Sequence, residues 1–90
     1  MEKGLKFEPL DSHFVERGTI KKCLLFQHGF FSVEILELSP DSKIRRHSHS
    51  ICNEQYVFEN GEVNVYTKGY EHELENTTGE VLRVYSIKWL

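Results

Sequence analysis

Residues 44–76, IRRHSHSICNEQYVFENGEVNVYTKGYEHELEN, decide the reading of this chain. On an extended strand, residues two apart share a face, so His47 and His49 point the same way. Glu54 follows five residues after His49, across Ser50-Ile51-Cys52-Asn53, a stretch able to turn the chain. His72 arrives on a separate, later segment. Three imidazoles and one carboxylate form a donor set that a first-row transition metal accepts. They leave open positions on a five- or six-coordinate ion, which is what chemistry needs. His47, His49, Glu54 and His72 are therefore the expected ligands of one divalent transition metal: Fe, Mn, Ni or Zn.

The spacing carries further. His47, His49, Glu54 and Gly61 follow the pattern His-x-His, four residues, Glu, six residues, Gly. Gly69, His72 and Asn76 follow the pattern Gly, two residues, His, three residues, Asn. Together these resemble the two signature motifs of the cupin superfamily, over roughly the C-terminal half of the chain. The resemblance implies that the three histidines and the glutamate bind one metal inside a small jelly-roll barrel. This sequence departs from the pattern in three places. Asp41 stands where a glycine usually opens the first motif, and Thr67 stands where a proline precedes Gly69. Gly61 closes the first motif and also stands where the second should open, so the spacer hairpin between the motifs is missing. In cupins that hairpin belongs to the opposite sheet. The strand after the glutamate and the strand of the later histidine are expected side by side, with Asn60-Gly61 joining neighbours directly. The barrel should then be open on one side.

Working outward, the pattern is all-β. Strands are predicted over 19–26, 30–38, 44–49, 54–59, 62–66, 72–76 and 81–89, rich in β-branched and aromatic residues. Gln27-His28-Gly29, Ser39-Pro40-Asp41-Ser42, Asn60-Gly61 and Asn76-Thr77-Thr78-Gly79 read as turns. No long stretch has helical period. The fold class is thus an all-β, cupin-type jelly roll, reduced to seven or eight strands. Residues 1–90 form a single domain, with 1–18 an N-terminal arm and 19–90 the barrel; Phe7 and Phe14 are the arm's candidate anchors. Regular alternation places Arg45 on the inward face of His47, about 6–7 Å along the strand, and Tyr56 on the face of Glu54. Arg45 and Tyr56 are the expected substrate-binding residues, Arg45 through bidentate hydrogen bonds to a carboxylate or phosphate. No catalytic residue is singled out.

Composition narrows the partners. Ninety residues allow one thin core, which help from a metal or a second subunit suits. A net charge of −3 and a pI near 5.9 give no footprint for nucleic acid or an anionic membrane. No apolar run is long enough to span a bilayer, and the N-terminal residues lack a signal peptide's apolar stretch. The expected compartment is the cytoplasm, with Cys23 and Cys52 reduced. A sheet face and a strand edge left open by the missing hairpin point to a homodimer. The expected function is a metal-dependent enzyme of dioxygenase, isomerase or lyase type acting on a small polar or anionic molecule. The alternative is a metal-containing small-molecule binding or sensing module without turnover.

Overall fold

The structure is a computed structural model and describes residues 4–90. Nine strands run in chain order: β1 (Glu8–Pro9), β2 (Val15–Arg17), β3 (Ile20–His28), β4 (Phe31–Leu38), β5 (Lys43–His47), β6 (Asn53–Phe58), β7 (Val63–Tyr66), β8 (His72–Glu75) and β9 (Leu82–Trp89). One 3-10 turn, Ser12–Phe14, separates β1 from β2, capped by the Asp11 carboxylate on the His13 N–H at 2.9 Å. The strands form a six-stranded sheet, ordered β1-β3-β4-β9-β6-β7, and a three-stranded sheet, ordered β2-β5-β8. Every pairing is antiparallel. This is a jelly roll with one reduced sheet.

Alternation sorts the long strands into two faces. Leu36 and Leu38 of β4 and Val84 of β9 turn inward with Ile20 and Tyr56, and meet Ile44 and Leu74 of the small sheet. Each of these seven is at most 7% exposed. Burying a Leu, Ile or Val side chain fully contributes roughly 1.5–3 kcal/mol, so this layer is where the fold's apolar stabilisation concentrates.

Three local features differ from the reading of the sequence. The arm, which shows no period, is woven into both sheets: β1 pairs with β3 and β2 with β5. The first turn falls on Gly29-Phe30, because β3 continues to His28. The strand of the later histidine is not beside the strand after the glutamate. β8 pairs with β5, matching His72 to His47, whereas Asn60-Gly61 joins β6 to β7 in the other sheet. The two sheets therefore contribute ligands from opposite sides.

The Asp41 departure has a backbone explanation. Ser42 N–H bonds to the Ser39 carbonyl at 3.1 Å, closing a turn with Pro40 and Asp41 in its centre. Asp41 takes φ 65°, the left-handed region glycine favours and Asp tolerates. Close by, Gly18 is held to glycine by contact: a Cβ there would meet Ser42 Oγ at 2.1 Å.

Candidate metal centre

β5 and the turn after it supply His47 and His49, β6 supplies Glu54 and β8 supplies His72. One donor atom from each lies within 4.8 Å of all the others. Glu54 is central. Its Oε1 stands 2.7 Å from His72 Nε2, 3.0 Å from His49 Nε2 and 4.0 Å from His47 Nε2. Its other oxygen, Oε2, accepts from Ser86 Oγ at 2.5 Å.

Tautomers follow from the backbone. His47 Nδ1 is 2.6 Å from the Arg45 carbonyl and His72 Nδ1 is 3.1 Å from the Tyr70 carbonyl. A carbonyl only accepts, so each Nδ1 carries the proton and donates. In the neutral rings each Nε2 then presents a bare lone pair toward a carboxylate oxygen, and two acceptors facing each other require a cation or a proton between them. Donors about 3–4 Å apart are what ligands 2.0–2.2 Å from one ion would be, so the set fits a transition metal. Backbone carbonyls on the outer nitrogens are the usual support of metal-bound histidines.

Protonation agrees with that chemistry. Burial works against charge on Glu54, but in the metal-free protein a proton held between it and the His49 and His72 rings, together with the hydrogen bond from Ser86, more than reverses that and holds its carboxyl well below the usual range. Burial lowers the His47 pKa, partly opposed by the Arg45 carbonyl, and so favours the neutral, ligating ring. Aromatic rings fix the imidazoles: Tyr66 stacks on His72 at 4.4 Å and 12°, and Phe14 meets His47 edge-on at 5.2 Å. Gly69 N–H bonds to the His49 carbonyl at 2.8 Å, and Lys68 N–H to Asn53 Oδ1 at 3.0 Å, pinning the loop before His72 to the ligand turn. Asn76 is buried as a brace: its Nδ2 bonds to the Leu38, Ser39 and Glu80 carbonyls and its Oδ1 accepts from Thr78.

Arg45 is not with them. Ile44 pairs with Leu74 and His47 with His72, so Arg45 and Arg46 together oppose Glu73. This β-bulge breaks the alternation. Ile44 and His47 face inward while Arg45 turns out, its Nε donating to the His13 carbonyl at 3.1 Å and its Nη2 to the Val15 carbonyl at 3.3 Å. The inward placement expected of Arg45 is corrected: it ties the arm to β5. Tyr56 does face the site. It is 1% exposed, with its ring 5.8 Å from His72, and burial pushes its hydroxyl pKa up, so it stays a phenol.

A cavity of about 190 Å³ opens beside the ligands, lined by His47, His49, Glu54, Tyr56 and Ser86, by Leu10, Asp11 and Phe14 of the arm, and by Lys22, Glu34 and Lys88 of the large sheet. Sequence reasoning missed Ser86 and the two lysines. For Ser86 and Lys88 the signal is the inward set of the last strand, Leu82, Val84, Ser86, Lys88, which turns polar at its end.

Solved structures share this architecture. A predicted oxalate decarboxylase from Thermotoga maritima is 18% identical, with a TM-score of 0.83, covering 96% of this chain and 93% of that one. A cupin 2 conserved barrel domain protein from Rhodopseudomonas palustris is 11% identical, with a TM-score of 0.70, covering 94% and 71%. An acetylacetone dioxygenase from Acinetobacter johnsonii is 14% identical, with a TM-score of 0.67, covering 100% and 74%. No family model matches the chain, and no curated protein matches it in sequence.

Proposed function

The fold of this chain is that of a small cupin, and we propose that it is a metal-dependent enzyme acting on a small polar or anionic molecule, of the dioxygenase, isomerase or lyase type. The observation that carries this reading is the convergence of His47, His49, Glu54 and His72 on one point at the wall of a small open cavity. A divalent transition metal, when bound, supplies open coordination positions and polarises a substrate oxygen. The chain's residues do the rest. Ser86 orients Glu54, the two carbonyls orient His47 and His72, and Phe14 and Tyr66 exclude water from the imidazoles. Tyr56, kept protonated by burial, is a hydrogen-bond donor in the cavity wall. Elemental analysis of protein purified without added metal tests this: about one transition metal per chain is expected, lost in His47→Ala/His49→Ala. Unchanged metal content in that variant refutes the ligand assignment.

A binding or sensing module without turnover is favoured by one feature. Glu34 lies between Lys22, at 3.9 Å, and Lys88, at 3.6 Å, so it is an engaged carboxylate rather than a free base. Metal-loaded protein that binds small acids but transforms none in the presence of oxygen supports that module.

The reading includes a homodimer in the cytoplasm. In its support, Phe26, Phe31 and Tyr85 stand 53%, 43% and 42% exposed on the outer face of the large sheet, and both cysteines are free. Aromatic side chains bury about 150–250 Å² each when fully covered; with roughly half of that still open, and with Val63 and Val65, this face offers about half of the roughly 800 Å² per partner of a stable interface. The arm packs on its own barrel: Phe14 meets His47 edge-on, and Arg83 lies over Phe7 at 5.4 Å. Light scattering on the purified protein decides between monomer and dimer. Among the described residues, no helix is long and apolar enough to cross a membrane.

A further inference from the structure

The wall of the cavity opposite the histidines carries charge that the metal reading does not use. Lys22 of β3, Glu34 of β4 and Lys88 of β9 all line it. Lys88 lies directly across from the ligand Glu54 in the β6–β9 pairing, and Glu34 lies across from Ser86. Cross-strand neighbours have Cβ atoms about 4.5–5.5 Å apart, so the lysine cluster begins one strand from the ligand set.

Two distances show that these lysines have donors to spare. Lys22 Nζ is 3.9 Å and Lys88 Nζ 3.6 Å from the Glu34 oxygens, beyond the 2.7–3.2 Å of a direct hydrogen bond. Each ammonium has three N–H groups. Glu34 is well covered, its side chain 14% exposed, whereas both lysine side chains stay about a third exposed. Glu54, across from Lys88, is a second carboxylate in the lining, but it is balanced by the proton or cation it shares with the His49 and His72 rings; Lys22 and Lys88 then face Glu34 with one positive charge in surplus. The other acidic groups nearby sit at the rim. Glu8 reaches Lys22 only at 4.0 Å and is 66% exposed, and Asp11 caps the His13 N–H. A single surplus charge is matched by a carboxylate, not by a phosphate with its larger charge.

We infer that Lys22 and Lys88 form a carboxylate-binding subsite, holding the acid group of a small organic acid while a second oxygen of the same molecule reaches the metal position. The second anchor rests on the metal reading above; the lysine subsite does not. Glu34 spaces the two ammonium groups and competes with the incoming carboxylate for them.

The experiment is calorimetric titration of acetate, malonate, succinate and inorganic phosphate into the protein, with and without its metal, with metal content measured on each sample. Malonate or succinate should bind best. Lys22→Met/Lys88→Met keeps the aliphatic stems and should weaken the preferred acid by about tenfold or more, as loss of charged hydrogen bonds does. Glu34→Gln should tighten it, an outcome that a purely structural ion-pair network does not produce. Lysine-dependent binding to metal-free protein supports the subsite whatever the metal does. Loss of metal with that binding intact would sink the metal reading alone. Binding that ignores both lysines, binding in which phosphate surpasses every carboxylate, or no binding of any probe overturns the inference. Melting temperature and metal content of each variant separate these results from a failure to fold.

Discussion

The two ends of the barrel interior are built from the same strands and have opposite characters. At one end β3 gives Ile20, β4 gives Leu38 and Leu36, β5 gives Ile44, β8 gives Leu74 and β9 gives Val84. One inward position further along, the same strands give Lys22, Glu34, His47, His72 and Ser86. Tyr56 of β6 lies at the boundary, and Glu54 is its next inward neighbour. Each of these six strands changes from apolar to polar at one level. Stability and chemistry are therefore segregated along the strands rather than between them, so each end should be breakable without the other.

The largest expected effect is at the apolar end. Leu38→Ala, at a fully buried position, should cost about 2–5 kcal/mol by denaturant unfolding and leave the metal stoichiometry unchanged. Loss of metal in that variant would mean that the two ends are one cooperative unit. The next effect is at the polar end. Metal that binds only the native state should stabilise it by about 2.7 kcal/mol at a hundredfold excess over the dissociation constant. His47→Ala/His49→Ala should abolish that increment in melting temperature while keeping the unfolding slope of the wild type. A metal-free wild type that melts where the loaded one does breaks the comparison.

A third test uses pH on metal-free protein. His47 has a folded pKa below its unfolded value, so the unfolded chain takes up the proton first. That contribution is present above about pH 6.5 and is lost as pH falls from there toward the folded pKa. Glu54 is likewise depressed, and its contribution is lost at lower pH, below about 4.3 and toward its folded pKa. Melting temperature should decline in those two stages; a profile flat down to about pH 5 would remove His47 from the acid-sensitive set. The smallest effect lies outside both ends. Asp41→Gly relieves a left-handed φ at a side chain that also meets Arg17 at 3.4 Å. The net change should be stabilising by no more than about 1 kcal/mol. A clear loss would show that the Arg17 contact outweighs the backbone gain.

The polar end was legible where its residues are close in sequence. His47, His49 and Glu54 read directly, and His72 follows from the Gly69-to-Asn76 spacing, because ligand spacing is a local property of strands and turns. Glu34 read as a possible base inside the barrel, but Lys22 and Lys88 were not legible: they meet through strand order, since β3 and β9 flank β4 only in the folded sheet. The pairing of β8 with β5 is also a matter of strand order, and the pattern of side chains along either strand does not encode it. Arg45 went the other way. Its expected inward face came from strict alternation, which a bulge suspends without any glycine or proline to mark it. Phe14 read as an anchor, but only the arm's route between the sheets shows that it anchors a metal-ligand candidate.

That bulge changes how the chain would tolerate a change in its length. Losing one residue from a strand ordinarily turns everything beyond it to the opposite face. Between Ile44 and His47 the rule is inverted, because two arginines already occupy the space of one across from Glu73. The Arg46 side chain is 62% exposed and, among the described residues, pairs with Glu71 alone, at 3.5 Å; without it, Ile44 and His47 would stand two apart on a regular ladder and still face inward. An inserted residue there would have no such refuge. The strand that carries the first histidine is thus one residue longer than its geometry needs, and the surplus residue is a deletion the site could survive.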